Sequence, residues 1–252
     1  MEFMPFKKKS LTDTVKEYLY NYIRNIDIDK DTKLPSEEFI AQNLGVSRAT
    51  IRSALTDLES DGFIFRIHGK GTFINPRAVQ MKVTINPGNE LLQMIIDSGY
   101  NARAETLGKN IIKADYELAG KLCIEEGEEV LILEKLFYAD NNPAILCRDK
   151  IPMRYIKGYK EDEFEYSTFE VIRKYSGKLI TWDDIEMTSL NKSEVISETT
   201  SINKIKAESI LVFNTNNYDQ ENNLIFTDIE YYDTKYIRFN IIRQKNIKYK
   251  EN

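Results

Sequence analysis

Residues 44–52 read LGVSRATIR, and Arg48 and Arg52 stand four positions apart in a stretch, 39–56, that contains no carboxylate. On a helix this spacing puts both guanidinium groups on one face, a turn apart. A guanidinium is planar and always charged, and it can bond a guanine edge through two parallel N–H groups or clamp a phosphate. Ala49, Thr50, Ser53 and Thr56 surround the pair. Small or hydroxylated side chains of this kind can touch thymine methyls or bond bases and phosphates. A second acid-free stretch, 62–89, carries Arg66, Lys70, Arg77 and Lys82, with His68 and Gly69 beside Lys70. An isolated RxxxR is an ordinary solvated helix face. Two basic, acid-free stretches close together point instead to a polyanion, double-stranded nucleic acid. Lys7, Lys8 and Lys9 are either a solvated tail or an arm that reaches a phosphate backbone.

Other chemistries lack their residues. Cys123 and Cys147 lie 24 positions apart and His68 is the only histidine, so neither a zinc site nor a cysteine–histidine pair is supported. There is no paired histidine and carboxylate, no nucleophile motif and no phosphate loop, so no enzyme and no cofactor or metal is expected. MEFMPFKKKS lacks the apolar core of a signal peptide, and no apolar run reaches the roughly 18 residues of a membrane span. A reducing cytoplasm with two free, mostly buried thiols is the expectation. The net charge of -5 over 252 residues hides an uneven distribution. Residues 1–80 hold 12 Lys plus Arg against 11 Asp plus Glu, and the remainder holds 23 against 29.

Positioning the arginines requires helices. Leu11, Val15, Tyr18, Leu19, Tyr22 and Ile23 follow helical spacing after the N-cap candidate Ser10, and are expected to form one buried face. LPSEEFIAQNL starts a second helix at Pro35 and Ser36, with Phe39, Ile40 and Leu44 inward. Gly45 allows a turn at positive φ, Ser47 can cap a third helix, and its inward face is Ile51, Ala54, Leu55 and Leu58. Gly62 ends it, and FIFRIHGKGTFI reads as two strands around a turn. Three helices and a two-stranded wing make a winged helix-turn-helix over residues 1–76, followed by a linker at 77–88, a stretch with no long periodicity. Residues 89–252 read as an α+β domain. Helices are expected in NELLQMIIDSGY, ADYELAGKLCIEEG (with a Gly stop) and STFEVIRKYSG. Strands are expected in EEVLILEKLFYA (alternating), ILCRDKIP, TWDDIEMTSL, the hairpin around YDQENN and a last strand YIRFNIIRQ.

LPSE, LGVSR, TIR and HGKGTF, in order and unbroken register, resemble the DNA-binding domain of GntR-type bacterial transcription regulators. The segment LAGKLCIEEGEEVLILEKLFYADNNPAILCRDKIP, with STFEVI and IEYYDTKYIRF, resembles the UTRA effector-binding domain of the HutC branch, whose antiparallel sheet with flanking helices is like chorismate lyase. The resemblance implies a homodimer on a two-fold operator, a repressor released by a small-molecule effector. It carries DNA contact onto Ser36, Glu37, Ser47, Arg48, Ala49, Thr50 and Arg52, and onto His68, Gly69 and Lys70 of the wing. Where the family commonly has arginine, this chain has Glu38, which points away, pairs with an arginine, or accepts from a cytosine amino group. For the effector, the resemblance implies Lys135, Phe137, Cys147, Ser167, Phe169 and Tyr231, with Thr168 between the last serine and phenylalanine. A second arginine and a glutamate typical of sugar-phosphate binders are missing from the aligned positions, which implies a less polar, aromatic or heterocyclic effector. Arg148 and Asp149 are strand neighbours and cannot both face the pocket. Two other functions fit this architecture: a lyase-like enzyme acting through the second domain, and a DNA-binding dimer without an effector.

Overall fold

Ser10 begins the first helix, α1 (Leu11–Asn25), with a reciprocal cap: its side chain accepts from the Asp13 backbone N–H, and the Asp13 carboxylate accepts from the Ser10 backbone N–H. The computed structural model describes residues 10–26, 32–85, 88, 90–160, 164, 167–192 and 200–243. It contains two compact units, Met1–Gly88 with Phe239–Asn252, and Asn89–Arg238.

In the first unit α1 buries Val15, Leu19 and Ile23, a stripe at i, i+4, i+8 facing one neighbour. Leu11, Tyr18 and Tyr22, expected on that face, are exposed, because a helix packed mainly against a single partner covers only a narrow stripe. Ser36 caps α2 (Glu37–Leu44) by accepting from the Phe39 N–H (3.2 Å), and Gly45 stops it in the left-handed region (φ 65). Ile40 and Ala41 are buried, whereas Phe39, expected inward, is exposed. Helix α3 (Arg48–Ser60) buries Ile51, Ala54, Leu55 and Leu58. Beyond Gly62, β1 (Ile64–Ile67) and β2 (Gly71–Ile74) pair antiparallel as the wing. Residues 32–34 lie along β2, with Leu34 N–H donating to Thr72 O and Ile74 N–H to Thr32 O.

The stretch expected to link the two domains contains two short elements. Asn75 caps α4 (Pro76–Gln80), where Pro76 sits in the first turn with its φ already helical. Strand β3 (Val83–Thr84) pairs in parallel with β10 (Phe239–Asn240). The expected last strand YIRFNIIRQ is thus two residues long and belongs to the first unit, and Ile242 packs on its core.

The second unit comprises α5 (Leu91–Asp97), β4 (Ala102–Lys113), α6 (Tyr116–Leu122), β5 (Glu129–Ala139), β6 (Asn142–Pro152), α7 (Thr168–Ser176), β7 (Ile180–Asn191), β8 (Ser209–Asp219) and β9 (Leu224–Tyr232). Its six-stranded antiparallel sheet has the order β4-β5-β6-β9-β8-β7. Strand β4 is absent from the sequence reading, because ARAETLGKNIIK lies at an edge with much of it exposed and has no clear alternation. Strand β5, expected to alternate, is buried nearly throughout, as an inner strand covered on both faces is. Helix α6 stops at Cys123, itself left-handed at φ 52, so the cap is not a glycine and Cys123 is exposed, contrary to expectation; Cys147 is buried. No described helix is long and apolar enough to cross a membrane.

Candidate nucleic-acid interface and ligand cavity

Ser47 starts α3 by accepting from the Thr50 N–H (3.1 Å), and its hydroxyl also bonds the Thr50 hydroxyl (2.8 Å). With the inward face fixed by the core, Arg48, Ala49, Arg52, Ser53 and Thr56 are exposed and Thr50 is half-exposed. Ser36 and Glu37 open α2, and together with Glu38, Arg48 and the wing residues His68, Gly69 and Lys70 they line one open concavity. The expected residues of the first unit are therefore neighbours on one surface, with Ala49, Thr50 and Arg52 continuing along the helix. Gly69 (φ 72) and Gly71 (φ 115) let the wing reverse.

The acid-free stretches of sequence are not acid-free in space. Glu38 Oε2 lies 4.0 Å from Arg48 Nη1, so of the three options for this carboxylate the structure has the ion pair. Arg66 is held by Glu59 (2.5 Å), bonds the Thr56 hydroxyl (3.3 Å) and lies 3.8 Å from Glu37. It ties the wing to α3 instead of projecting freely. Lys7, Lys8 and Lys9 lie outside the described residues.

The second unit holds a narrow cavity of about 50 Å³. Antiparallel register aligns its polar residues: Lys135 on β5 faces Cys147 on β6, Cys147 faces Glu230 on β9, and Asp149 faces Asp228. The start of α7 adds Ser167, Thr168 and Phe169, and Glu90, Leu91 and Leu92 lie at the start of α5; Phe137 and Phe226 complete the apolar wall. Lys135 Nζ donates to Thr168 Oγ1 (2.9 Å), which donates to Asp149 Oδ2 (2.6 Å). Cys147 Sγ donates to Asp149 Oδ1 (3.0 Å), and Ser167, while capping α7, donates to Glu90 (3.0 Å). Asp228 Oδ1 accepts from Asn217 (2.6 Å), whereas its buried Oδ2 has no hydrogen-bond partner among the described residues. Glu230 accepts from the Tyr232 hydroxyl.

Burial pushes the Glu230 carboxyl up to about 7, with help from the charges of Asp149 and Asp183 and against the Tyr232 hydrogen bond. Burial, and then Glu230 and Asp149, raise Asp228 well above the carboxylate range. Burial first, then the same acids, holds Cys147 as a thiol.

Of the expected effector residues, Lys135, Phe137, Cys147, Ser167 and Phe169 line this cavity. Tyr231 does not. Strand alternation turns it to the opposite face, where it packs with Leu136, Leu146 and Val212. The sequence left open which of Arg148 and Asp149 faces the pocket, and the structure turns Asp149 to it; Glu90, Asp228 and Glu230 were missed, and with them much of the polarity of the site. A period of two marks Asp228 with Glu230, and Cys147 with Asp149, as same-face pairs, but choosing the face needs the register. The glutamate missing from its aligned position is matched by four carboxylates that reach the cavity from other positions.

A winged helix-turn-helix followed by an antiparallel sheet unit with a lined cavity defines the class. Residues 11–74 match the model of the bacterial regulatory proteins of the gntR family and residues 97–238 that of the UTRA domain; the chain belongs to this family of GntR regulators with a UTRA domain. It is 30% identical over 137 residues to the uncharacterized HTH-type transcriptional regulator YurK of Bacillus subtilis, covering 54% of this chain and 52% of that protein. It is 25% identical over 162 residues to the HTH-type transcriptional repressor NagR of the same organism, covering 64% and 66%. The chain thus spans about half to two thirds of the length of these curated relatives. The crystal structure of a possible transcriptional regulator, YydK from B. subtilis, superposes with a TM-score of 0.69 at 18% identity over 92% of this chain and 99% of that one, a likeness of fold.

Proposed function

We propose that this chain is a sequence-specific regulator of transcription, a repressor that binds a two-fold operator as a homodimer and responds to a small molecule held in the second unit's cavity. The observation that carries the reading is the outer arc of α3, with Arg48, Ala49, Arg52, Ser53 and Thr56 all presented to solvent beside the exposed wing tip. A helix with this face fits the major groove, and the wing supplies His68 and Lys70 to a phosphate or the minor groove. The similarity to NagR, a transcriptional repressor, supports the sign of regulation.

The test is selection of duplexes from a random pool, followed by gel-shift titration. Arg48→Ala and Arg52→Ala are each expected to cost about 1–3 kcal/mol on the selected duplex, and wild-type binding to weaken steeply with salt. Wild-type affinity in both variants would sink the assignment of α3 as the reading helix.

A further inference from the structure

We propose that the cavity between β5, β6, β9 and the start of α7 takes a small ligand through a protonated amine, received by Asp228 and Glu230. This rests on reading the cavity as the effector site and names the chemistry the effector brings. Four carboxylates and one ammonium line the cavity, and the ammonium is already engaged: Lys135 bonds Thr168 and lies 4.0 Å from Asp149. Ser167, the other group suited to an anion, donates to Glu90. An entering phosphate would therefore have to displace the bonds that already hold Lys135 and Ser167. An entering ammonium meets Asp228, which is only 6% exposed and whose Oδ2 has no hydrogen-bond partner among the described residues, with Glu230 beside it. A buried acceptor without a donor is costly, and an N–H from a ligand removes that cost.

Ligand atoms of Cys147, Asp228 and Glu230 all lie within 4.8 Å of one another, which leaves room for a tetrahedral ammonium, whose charge-assisted bonds of about 2.8 Å hold two acceptors about 4.6 Å apart. A metal ion would need a thiolate where Cys147 is a thiol donating to Asp149 (3.0 Å). Phe137, Phe169 and Phe226 give the ligand's carbon chain an apolar wall and the cation aromatic faces.

The groups facing the pair are Lys135 from β5, Cys147 and Asp149 from β6, Tyr232 on β9 itself and Asp183 from β7. In the empty cavity burial favours the protonated acids, so a cation must displace protons, and amine affinity rises with pH.

Isothermal titration calorimetry of the full chain with ethanolamine and with 1,4-diaminobutane tests this at about pH 6 and about pH 8, in two buffers of different ionisation heat. Saturable amine binding is expected, tighter at the higher pH, with proton release. Asp228→Asn and Glu230→Gln, each checked for a cooperative thermal transition, are expected to weaken it about tenfold or more. Glucose 6-phosphate, inorganic phosphate and zinc chloride are run alongside. No heat from either amine, amine binding that both variants leave intact, or binding only of the phosphate compounds or of zinc overturns the proposal. The same preparation is tested for duplex binding by gel shift. Intact DNA binding with no amine binding sinks this inference alone, whereas amine binding without DNA binding sinks the regulator reading alone.

Discussion

Arg48 has two partners that compete for one guanidinium: the Glu38 carboxylate 4.0 Å away and any phosphate or guanine brought to the surface. Both side chains are about two-thirds exposed, and an ion pair that open to water is worth little, so nucleic acid can take Arg48 at small cost. The carboxylate then remains, facing a polyanion. Glu38→Gln is therefore expected to strengthen duplex binding severalfold at low salt, with the gain shrinking as salt rises. Fluorescence anisotropy across a salt series measures this, and weaker binding by the variant would mean instead that Glu38 accepts from a base. Local relations of this kind were largely legible in the sequence. Ser36 and Ser47 cap as read, because a cap depends on three or four consecutive residues. The restraint of Arg66 by Glu59 and Glu37 was not legible, since its partners approach through a strand and two helices that only the fold brings together.

At the scale of elements, α3 depends on its two ends. Ser47→Ala removes the acceptor for the Thr50 N–H and should cost about 1 kcal/mol of stability, read as a lower Tm. Because the first turn that frays carries Arg48, Ala49 and Thr50, duplex affinity should fall by more than the stability loss alone explains. An unchanged affinity would place the reading residues further along the helix. At the other end Gly62 (φ 80) lies against the side chain of Ile242, so an added Cβ meets both an unfavourable backbone region and a packed neighbour. Gly62→Ala should cost at least about 1 kcal/mol, and truncating Ile242 in the same chain should recover part of it, as a thermal melt of the double variant would report. Periodicity revealed α2, α3 and the wing but concealed elements whose form depends on distant chain. Strand β3 exists only by pairing with β10, some 150 positions later, and β4 only as the edge of a sheet already formed. The exposed Tyr18 and Tyr22 show the same limit, since helical spacing marks a possible face and the neighbour decides its width.

At the scale of the molecule, the acids of the cavity make folding itself depend on pH. Burial pushes the Glu230 carboxyl up to about 7 in the fold, above the ordinary glutamate value, and raises Asp228 well above its own. Between those ordinary values and the raised ones the native state binds more protons than the unfolded chain, so their contribution to stability is present at low pH and is lost as pH rises. Asp219 acts in the opposite sense, because Lys178 and the Asn223 and Glu221 N–H groups hold its carboxyl low despite burial, so wild-type melts alone mix the two. A difference isolates the cavity. Glu230→Gln keeps the shape, removes one buried charge and relieves its repulsion of Asp228. Its Tm relative to wild type is expected to be small near about pH 5 and to grow in the variant's favour up to about pH 8. Amine ligand should narrow that gap at the higher pH by supplying wild type with the missing counter-charge, and do little at the lower pH, where the acids hold protons. A gap independent of pH, or one that widens on acidification, would mean that Glu230 is ionised and paired in the empty fold, and that the cavity has no vacancy for a cation.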